Sequence, residues 1–308
     1  MLLKNYLFHR VTDEEDKQWP PMKPALFEKI VRQLCSKQKV VLLEDFLSHP
    51  EAFTGLRDPV VTISFDDGYK DNIDYAAPIL KKYNCPASFY IVTNSIDSNT
   101  PTWTYLVDYF LSHTRKRKIE FTFGNVPEAF KEIELVAGEE LTQSAKKIKP
   151  WLKTLSNQSR NGMINQLISQ CNDVELPAGQ MMSWNDIRQL HANGFYIGSH
   201  THTHPMLASL ESEEEIKSEL LISRDKIQDV TGYNPRTISY PVGSYDNRVI
   251  RLSKECGYNY GLAVHQKFFK YRAEDLFEIS RVELYEEPDW KMQLRLSGTI
   301  SRIKSIWK

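Results

Sequence analysis

Asp66 and Asp67 stand side by side at the end of an apolar run, TISFDDG, residues 62–68. Adjacent carboxylates at the end of a low-dielectric sheet repel each other, and a cation or a shared proton relieves the repulsion. The two can also divide their work, one binding a metal and the other acting as a base. Asp-Gly is equally turn chemistry, so this motif alone does not separate a site from a turn. The second cluster is GSHTHTHP, residues 198–205. Imidazole is the commonest neutral metal ligand near pH 7. His200 and His204 can converge on one ion if the chain turns helically after the strand, which sends His202 elsewhere. Three histidines in five residues, between Gly and Pro, are poorly explained by packing. The two clusters together offer Asp, His and His, with coordination positions left open, a catalytic rather than a structural pattern. A divalent ion there would acidify water and polarise a carbonyl. The spare aspartate would take the water's proton.

The elements that must hold these residues alternate along the chain. Residues 2–8, 59–65, 86–92, 195–199, 237–241, 260–264 and 277–284 read as strands, rich in Val, Ile, Phe and Tyr. Residues 24–35, 72–83, 183–193, 212–231 and 245–256 read as helices, with Asn193-Gly194 and Thr231-Gly232 as stops. Seven strands with helical crossovers imply a parallel sheet. At 308 residues a barrel is favoured over an open sheet. Its chemistry belongs at the C-terminal ends of the strands. Residues 97–181 break the rhythm, with helical patterns near 103–112, 127–136, 143–156 and 160–171 and no convincing strand. They read as a helical insertion between the third and fourth strands. The basic run His113–Lys118 within it reads as a solvated face.

With 39 basic and 40 acidic residues the net charge is −1, which gives no whole-chain attraction to nucleic acid or anionic membrane. At 41% hydrophobic and 26% charged residues, the composition excludes disordered, collagen-like and coiled-coil chains. Cys35, Cys85, Cys171 and Cys256 are scattered and read as reduced, mostly buried thiols. The first residues, MLLKNYLFHRV, lack an apolar run with a cleavage site, and the expected location is cytoplasmic, peripheral to the inner face of the membrane if the C-terminal tail binds lipid.

SFDDG, GSHTHTH and SYPVGSYDN resemble, in order and spacing, the first three motifs of the polysaccharide deacetylases, the NodB-homology or carbohydrate esterase family 4 enzymes. FHRV at 8–11 resembles an N-terminal feature of one branch, and MSWNDIRQL at 182–190 and CGYNYGLAV at 256–264 are similar to accompanying segments. The resemblance covers roughly residues 5–96 and 180–285. It implies an α/β fold, a distorted (β/α)7 barrel, which agrees with the seven strands counted independently. The barrel is expected over residues 1–290, with the 97–181 insertion inside it. The implied reaction is metal-dependent hydrolysis of an N-acetyl group from a sugar. Asp66 matches the general base, and Asp67, His200 and His204 match the metal ligands. Zinc is the default ion, and Co2+, Ni2+ or Fe2+ also suit two histidines and a carboxylate. The backbone of Tyr240, Pro241 and Val242 is where the tetrahedral oxyanion would be stabilised.

The sequence departs from the family in three places. Ser239 stands where many members carry an arginine two residues before the third-motif proline, and Arg281 in the last strand is a candidate to orient Asp66 instead. The apolar-Leu-His motif that supplies a general acid is absent after residue 265, so His9 and His265, both just past strands, are the candidates. The insertion replaces a short connection, and Trp103, Tyr105 and Tyr109 could stack on sugar rings or form core. Residues 291–308 carry five basic and no acidic side chains, with Leu294, Leu296, Ile300, Ile303, Ile306 and Trp307 as apolar surface. This basic amphipathic tail either lies on anionic lipid or packs as a final helix. The leading expectation is a deacetylase of an N-acetylated carbohydrate, a precursor in capsule, lipopolysaccharide or exopolysaccharide assembly rather than secreted chitin or peptidoglycan. The alternatives are another amide or ester hydrolase on the same scaffold, or a metal- or sugar-binding relative without turnover.

Overall fold

A computed structural model describes residues 1–16, 19–135 and 139–299. Eight short strands form a mostly parallel sheet that nearly closes into a barrel: β1 (Leu2–Phe8), β2 (Val60–Phe65), β3 (Ser88–Ile91), β4 (Tyr196–Ser199), β5 (Thr237–Ser239), β6 (Tyr260–Ala263), β7 (Ile279–Ser280) and β8 (Val282–Glu283). Their order is β7-β6-β5-β4-β3-β2-β1-β8, each neighbour parallel, with Phe269–Lys270 added antiparallel to β1. The expected seventh strand, 277–284, is therefore two. It breaks at Arg281, so that β7 pairs with β6 while β8 pairs with β1, at opposite edges of the sheet. One continuous segment thus spans the gap, and Arg281 sits inside it with no exposed surface.

Every residue of β2 and β3 is buried, as expected where helices cover one face and barrel side chains fill the other. Helix Pro24–Lys37 packs Phe27, Ile30, Val31 and Leu34 inward, a 3.6-residue repeat with Pro at its start. Helix Trp184–Ala192 starts from a Ser183/Asp186 capping box, and Glu213–Thr231 runs from a Ser212 cap to Gly232 at φ 78°. The 72–83 helix opens as a wide π-turn, Asn72–Ala76, before the α-turns Ala77–Lys82. All four cysteines are free thiols, three of them buried.

The insertion has its own core, in which Phe110, Leu111, Ile148, Trp151, Leu152, Met163 and Leu167 meet. Its helices Trp103–His113, Glu139–Lys153 and Asn157–Gln170 follow the sequence reading. The 127–136 pattern does not. A single turn, Glu128–Lys131, leads into Glu132–Glu134, which pairs antiparallel with Lys118–Glu120. Lys118, from the basic run, is held there by Glu120 and Glu132. Helix Asp289–Ser297 carries the start of the tail, and its Met292 and Leu296 are buried on the barrel. Ile300, Ile303, Ile306 and Trp307 lie outside the described residues. Among those described, no helix is long and apolar enough to cross a membrane.

Candidate active site

The C-terminal ends of β2 and β4 deliver the two motifs to one point. Ligand atoms of Asp67, His200 and His204 all lie within 4.8 Å of one another, and all three residues are buried. Asp67 Oδ1 is 3.3 Å from His200 Nε2 and 3.4 Å from His204 Nε2, yet it accepts no hydrogen bond. His200 Nδ1 is 2.7 Å from the Ser239 carbonyl, which can only accept, so the proton sits on Nδ1 and the Nε2 lone pair faces Asp67. Burial, only partly offset by Asp67, pulls His204 down to about 3, so its ring is neutral at pH 7. Burial pushes the Asp67 carboxyl up, but the imidazoles around it, with His9 the one charged at pH 7, more than offset it and hold it well below the usual range. Two imidazole nitrogens and an unpartnered carboxylate oxygen crowded together make a donor set that fits a divalent cation.

The histidines converge, but not through a helical turn. Thr201 and His204 adopt left-handed φ of 68° and 61° in a tight turn. Glu219 clamps it by accepting from the His202 and Thr203 N–H groups, and Thr93 N donates to the Thr201 carbonyl. His202 turns away, to within 2.9 Å of Thr93 Oγ1. Among the described residues seven non-glycine residues have positive φ, and four, Asp67, Thr201, His204 and Val242, lie at this rim. Such strain, roughly 1–2 kcal/mol each, persists where surrounding bonds over-determine the backbone. Gly198 is required nearby, since a Cβ there would lie 2.3 Å from the Tyr90 ring.

Asp66 is held differently. Arg281 Nη1 and Nη2 each donate to one carboxylate oxygen at 2.7 Å. Ser239 Oγ donates to Asp66 Oδ2 at 2.9 Å and accepts from Arg281 Nη2 at 2.7 Å. Ser239 and Arg281 together thus occupy the place of the arginine expected before Pro241. Burial pushes the Asp66 carboxyl up, but Arg281, by charge and by hydrogen bonding, outweighs burial and holds it below its usual range, aimed and ionised. At the other end of the barrel, buried Glu44 accepts from the Ser88, Tyr90 and Thr237 hydroxyls, and burial raises it in spite of them.

A cavity of about 320 Å³ opens over both aspartates, His200 and His204. His9, just past β1, lines it, because β1–β2 register sets Phe8 beside Phe65 and Asp66 N bonds the Phe8 carbonyl. Its Nδ1 is 3.2 Å from Glu283 Oε1. Burial pulls the His9 ring down, but Glu283 outweighs it, with Asp67 and Asp66 adding, and lifts the ring up to about 9. His265 does not line this cavity. Its Nε2 is 2.8 Å from the Tyr245 hydroxyl and it borders a separate depression with Lys267 and Arg272. Tyr240 and Val242 line the site and Pro241 is buried between them. Trp103, Tyr105 and Tyr109 belong to apolar clusters, and the indole at the cavity is that of Trp19. Trp19, Glu283, Thr104, Asp108, Lys149 and Lys153 were not singled out from sequence, and the last four reach in from the insertion.

A nearly closed α/β barrel with two histidines and two aspartates at its C-terminal rim has the form of a hydrolase. The family model described as polysaccharide deacetylase matches residues 54–261. The chain belongs to the polysaccharide deacetylase family, metal-dependent in general, and is thereby a hydrolase of carbon–nitrogen bonds outside peptides. No curated protein matches it in sequence. Its fold is similar to that of the Streptococcus pyogenes deacetylase PplD in complex with acetate, at 14% identity over 96% of this chain and 97% of that one, TM-score 0.64. It is also similar to a de-N-acetylase from Aggregatibacter actinomycetemcomitans, at 18% identity over 95% and 98%, TM-score 0.62. IcaB from Ammonifex degensii is a third, at 16% identity over 96% of each chain, TM-score 0.57.

Proposed function

We propose that the protein removes N-acetyl groups from a carbohydrate, with Asp66 as general base beside a divalent ion, zinc in the first instance, held by Asp67, His200 and His204. The observation that carries this is the division of the aspartates: Asp67 faces two imidazole nitrogens, while Asp66 faces a buried arginine in the same cavity. Such an ion supplies Lewis acidity, acidifying water and polarising a carbonyl oxygen. Asp66 accepts the proton of the attacking water, with Arg281 and Ser239 fixing its direction. Of the three residues around Pro241, proline has no N–H and Tyr240 N donates to Leu262, which leaves Val242 N–H as the donor for the tetrahedral oxyanion. His9, oriented by Glu283, protonates the leaving amine, so that amide and water give amine and acetate.

The test is acetate release from N-acetylated saccharides by metal-loaded wild type and Asp66→Asn. We expect about one metal per chain in both, and roughly a 10²–10⁴-fold loss of turnover in the variant. Equal turnover by the variant overturns the role of Asp66. A metal-loaded wild type that releases no acetate overturns the reaction.

A further inference from the structure

The charges around the cavity are nearly all accounted for in pairs. Asp66 is matched by Arg281, Glu283 by His9 and Asp108 by Lys149, while Asp67 faces the two metal-type histidines. Lys153 is the exception. It lines the same cavity and, among the described residues, its ammonium makes no hydrogen bond or ion pair. Lys149 and Lys153 are four residues apart on helix Glu139–Lys153, and so share one face. The other face carries Ile148, Trp151 and Leu152 into the insertion core. The packing that builds the insertion therefore turns both lysines toward the site.

We propose that Lys153, supported by Lys149, recognises an anionic group on the saccharide, a phosphate or a carboxylate close to the acetamido sugar. This deepens the deacetylase reading and rests on it for where the scissile amide lies. A neutral saccharide gives Lys153 nothing to pair with, whereas an anion completes the pairing around the cavity. Burial, with Lys149 adding, lowers the Lys153 ammonium by more than Glu283 and Asp108 raise it, so a negative charge brought into contact would favour its charged form. Lysine binds such a group as a point charge, without the planar fork that selects one geometry. Thr104, from helix Trp103–His113, adds a hydroxyl to the same lining.

The experiment measures binding and turnover separately, on the full metal-loaded chain. Calorimetric titration compares a neutral methyl glycoside of N-acetylglucosamine with N-acetylglucosamine 1-phosphate and with an N-acetylglucosamine–glucuronic acid disaccharide. Wild type, Lys153→Gln and Lys153→Arg are used, and acetate release is followed on the same ligands. We expect wild type to bind at least one anionic ligand about tenfold tighter than the neutral one, the yield of one charge-assisted hydrogen bond. Lys153→Gln removes that difference and leaves neutral binding unchanged, Lys153→Arg keeps it, and raising salt from about 0.05 M to about 0.5 M shrinks it. The anionic ligand that responds shows whether phosphate or carboxylate is read. Equal binding of neutral and anionic ligands, or an unchanged preference in Lys153→Gln, overturns the inference. Acetate release from the neutral glycoside at the same rate would then leave the deacetylase reading standing. Anion preference without acetate release does the reverse.

Discussion

In the barrel, the chemistry hangs from backbone: Asp66, Asp67, His9 and His200 each lie within two residues of the end of a hydrogen-bonded strand, with Asp67 in a left-handed turn and the other three aimed by buried partners. In the insertion, Lys149 and Lys153 reach the same cavity on long flexible stems from a helix seated on a second core. Strand-end positioning holds a side chain within fractions of an ångström, which bond-making requires. A lysine stem holds charge in a region, which is enough for recognition. The contrast implies that damage to the barrel rim removes turnover, while damage to the insertion changes which saccharide is used.

The largest effect that would break this contrast comes from Arg281→Met. Removing one partner of a fully buried pair leaves Asp66 as an uncompensated buried charge, at a cost of about 3–5 kcal/mol. The carboxyl then rises and loses its aim, so kcat falls roughly 10²–10⁴-fold while metal content stays near one per chain. Denaturant melts and metal analysis read both effects. Asp66→Asn combined with Arg281→Met should recover much of the lost stability, because no lone charge remains. A single variant as stable as wild type would show that the pair does not organise the rim.

The barrel was legible because its signals are local. Six strands follow β-type runs, and the DDG and HTHTH motifs carry their chemistry within five residues or fewer. The features that were not legible depend on distance. Arg281 is 215 residues from Asp66, and the break of the last strand there appears only when the two edges of the sheet meet. His9 and His265 both follow strands, yet only His9 faces the site, because the turn after β6 hands His265 to Tyr245. The insertion's hairpin was missed because KIE and EIE each offer one apolar residue, too short for any period. Lys149 and Lys153 look like the solvent face of any amphipathic helix.

A smaller effect sharpens the barrel side. His9 is lifted to about 9 chiefly by Glu283, against burial that pulls it down. If His9 protonates the leaving amine, its acid form is required, so activity is present below its pKa and lost as pH rises through it. Glu283→Gln removes the main support, so the basic limb of kcat/KM moves to lower pH. A bound cation lowers His9 in both proteins and leaves the direction of the difference intact. A shift of one unit makes the variant about tenfold slower on the alkaline side. An unmoved basic limb would remove His9 from the proton-transfer role.

The smallest expected effect on turnover comes from Trp151→Ala, on the insertion side. Trp151 stacks on Phe130 at 4.5 Å between ring centroids and lies between Lys149 and Lys153 in the chain. Its loss costs about 3–5 kcal/mol, but the cost falls on a core that the barrel does not share. Hydrogen exchange should quicken across helices Trp103–His113, Glu139–Lys153 and Asn157–Gln170 and stay unchanged in β1 to β4. Metal content and turnover of a neutral acetamido sugar should hold within about twofold, because Asp66, Asp67, His200 and His204 stay on their strands. The preference for an anionic saccharide should fall several-fold, as the platform under Lys153 loosens. If metal binding failed with the insertion, the two regions would form one cooperative unit, and the division between reaction and recognition would be wrong.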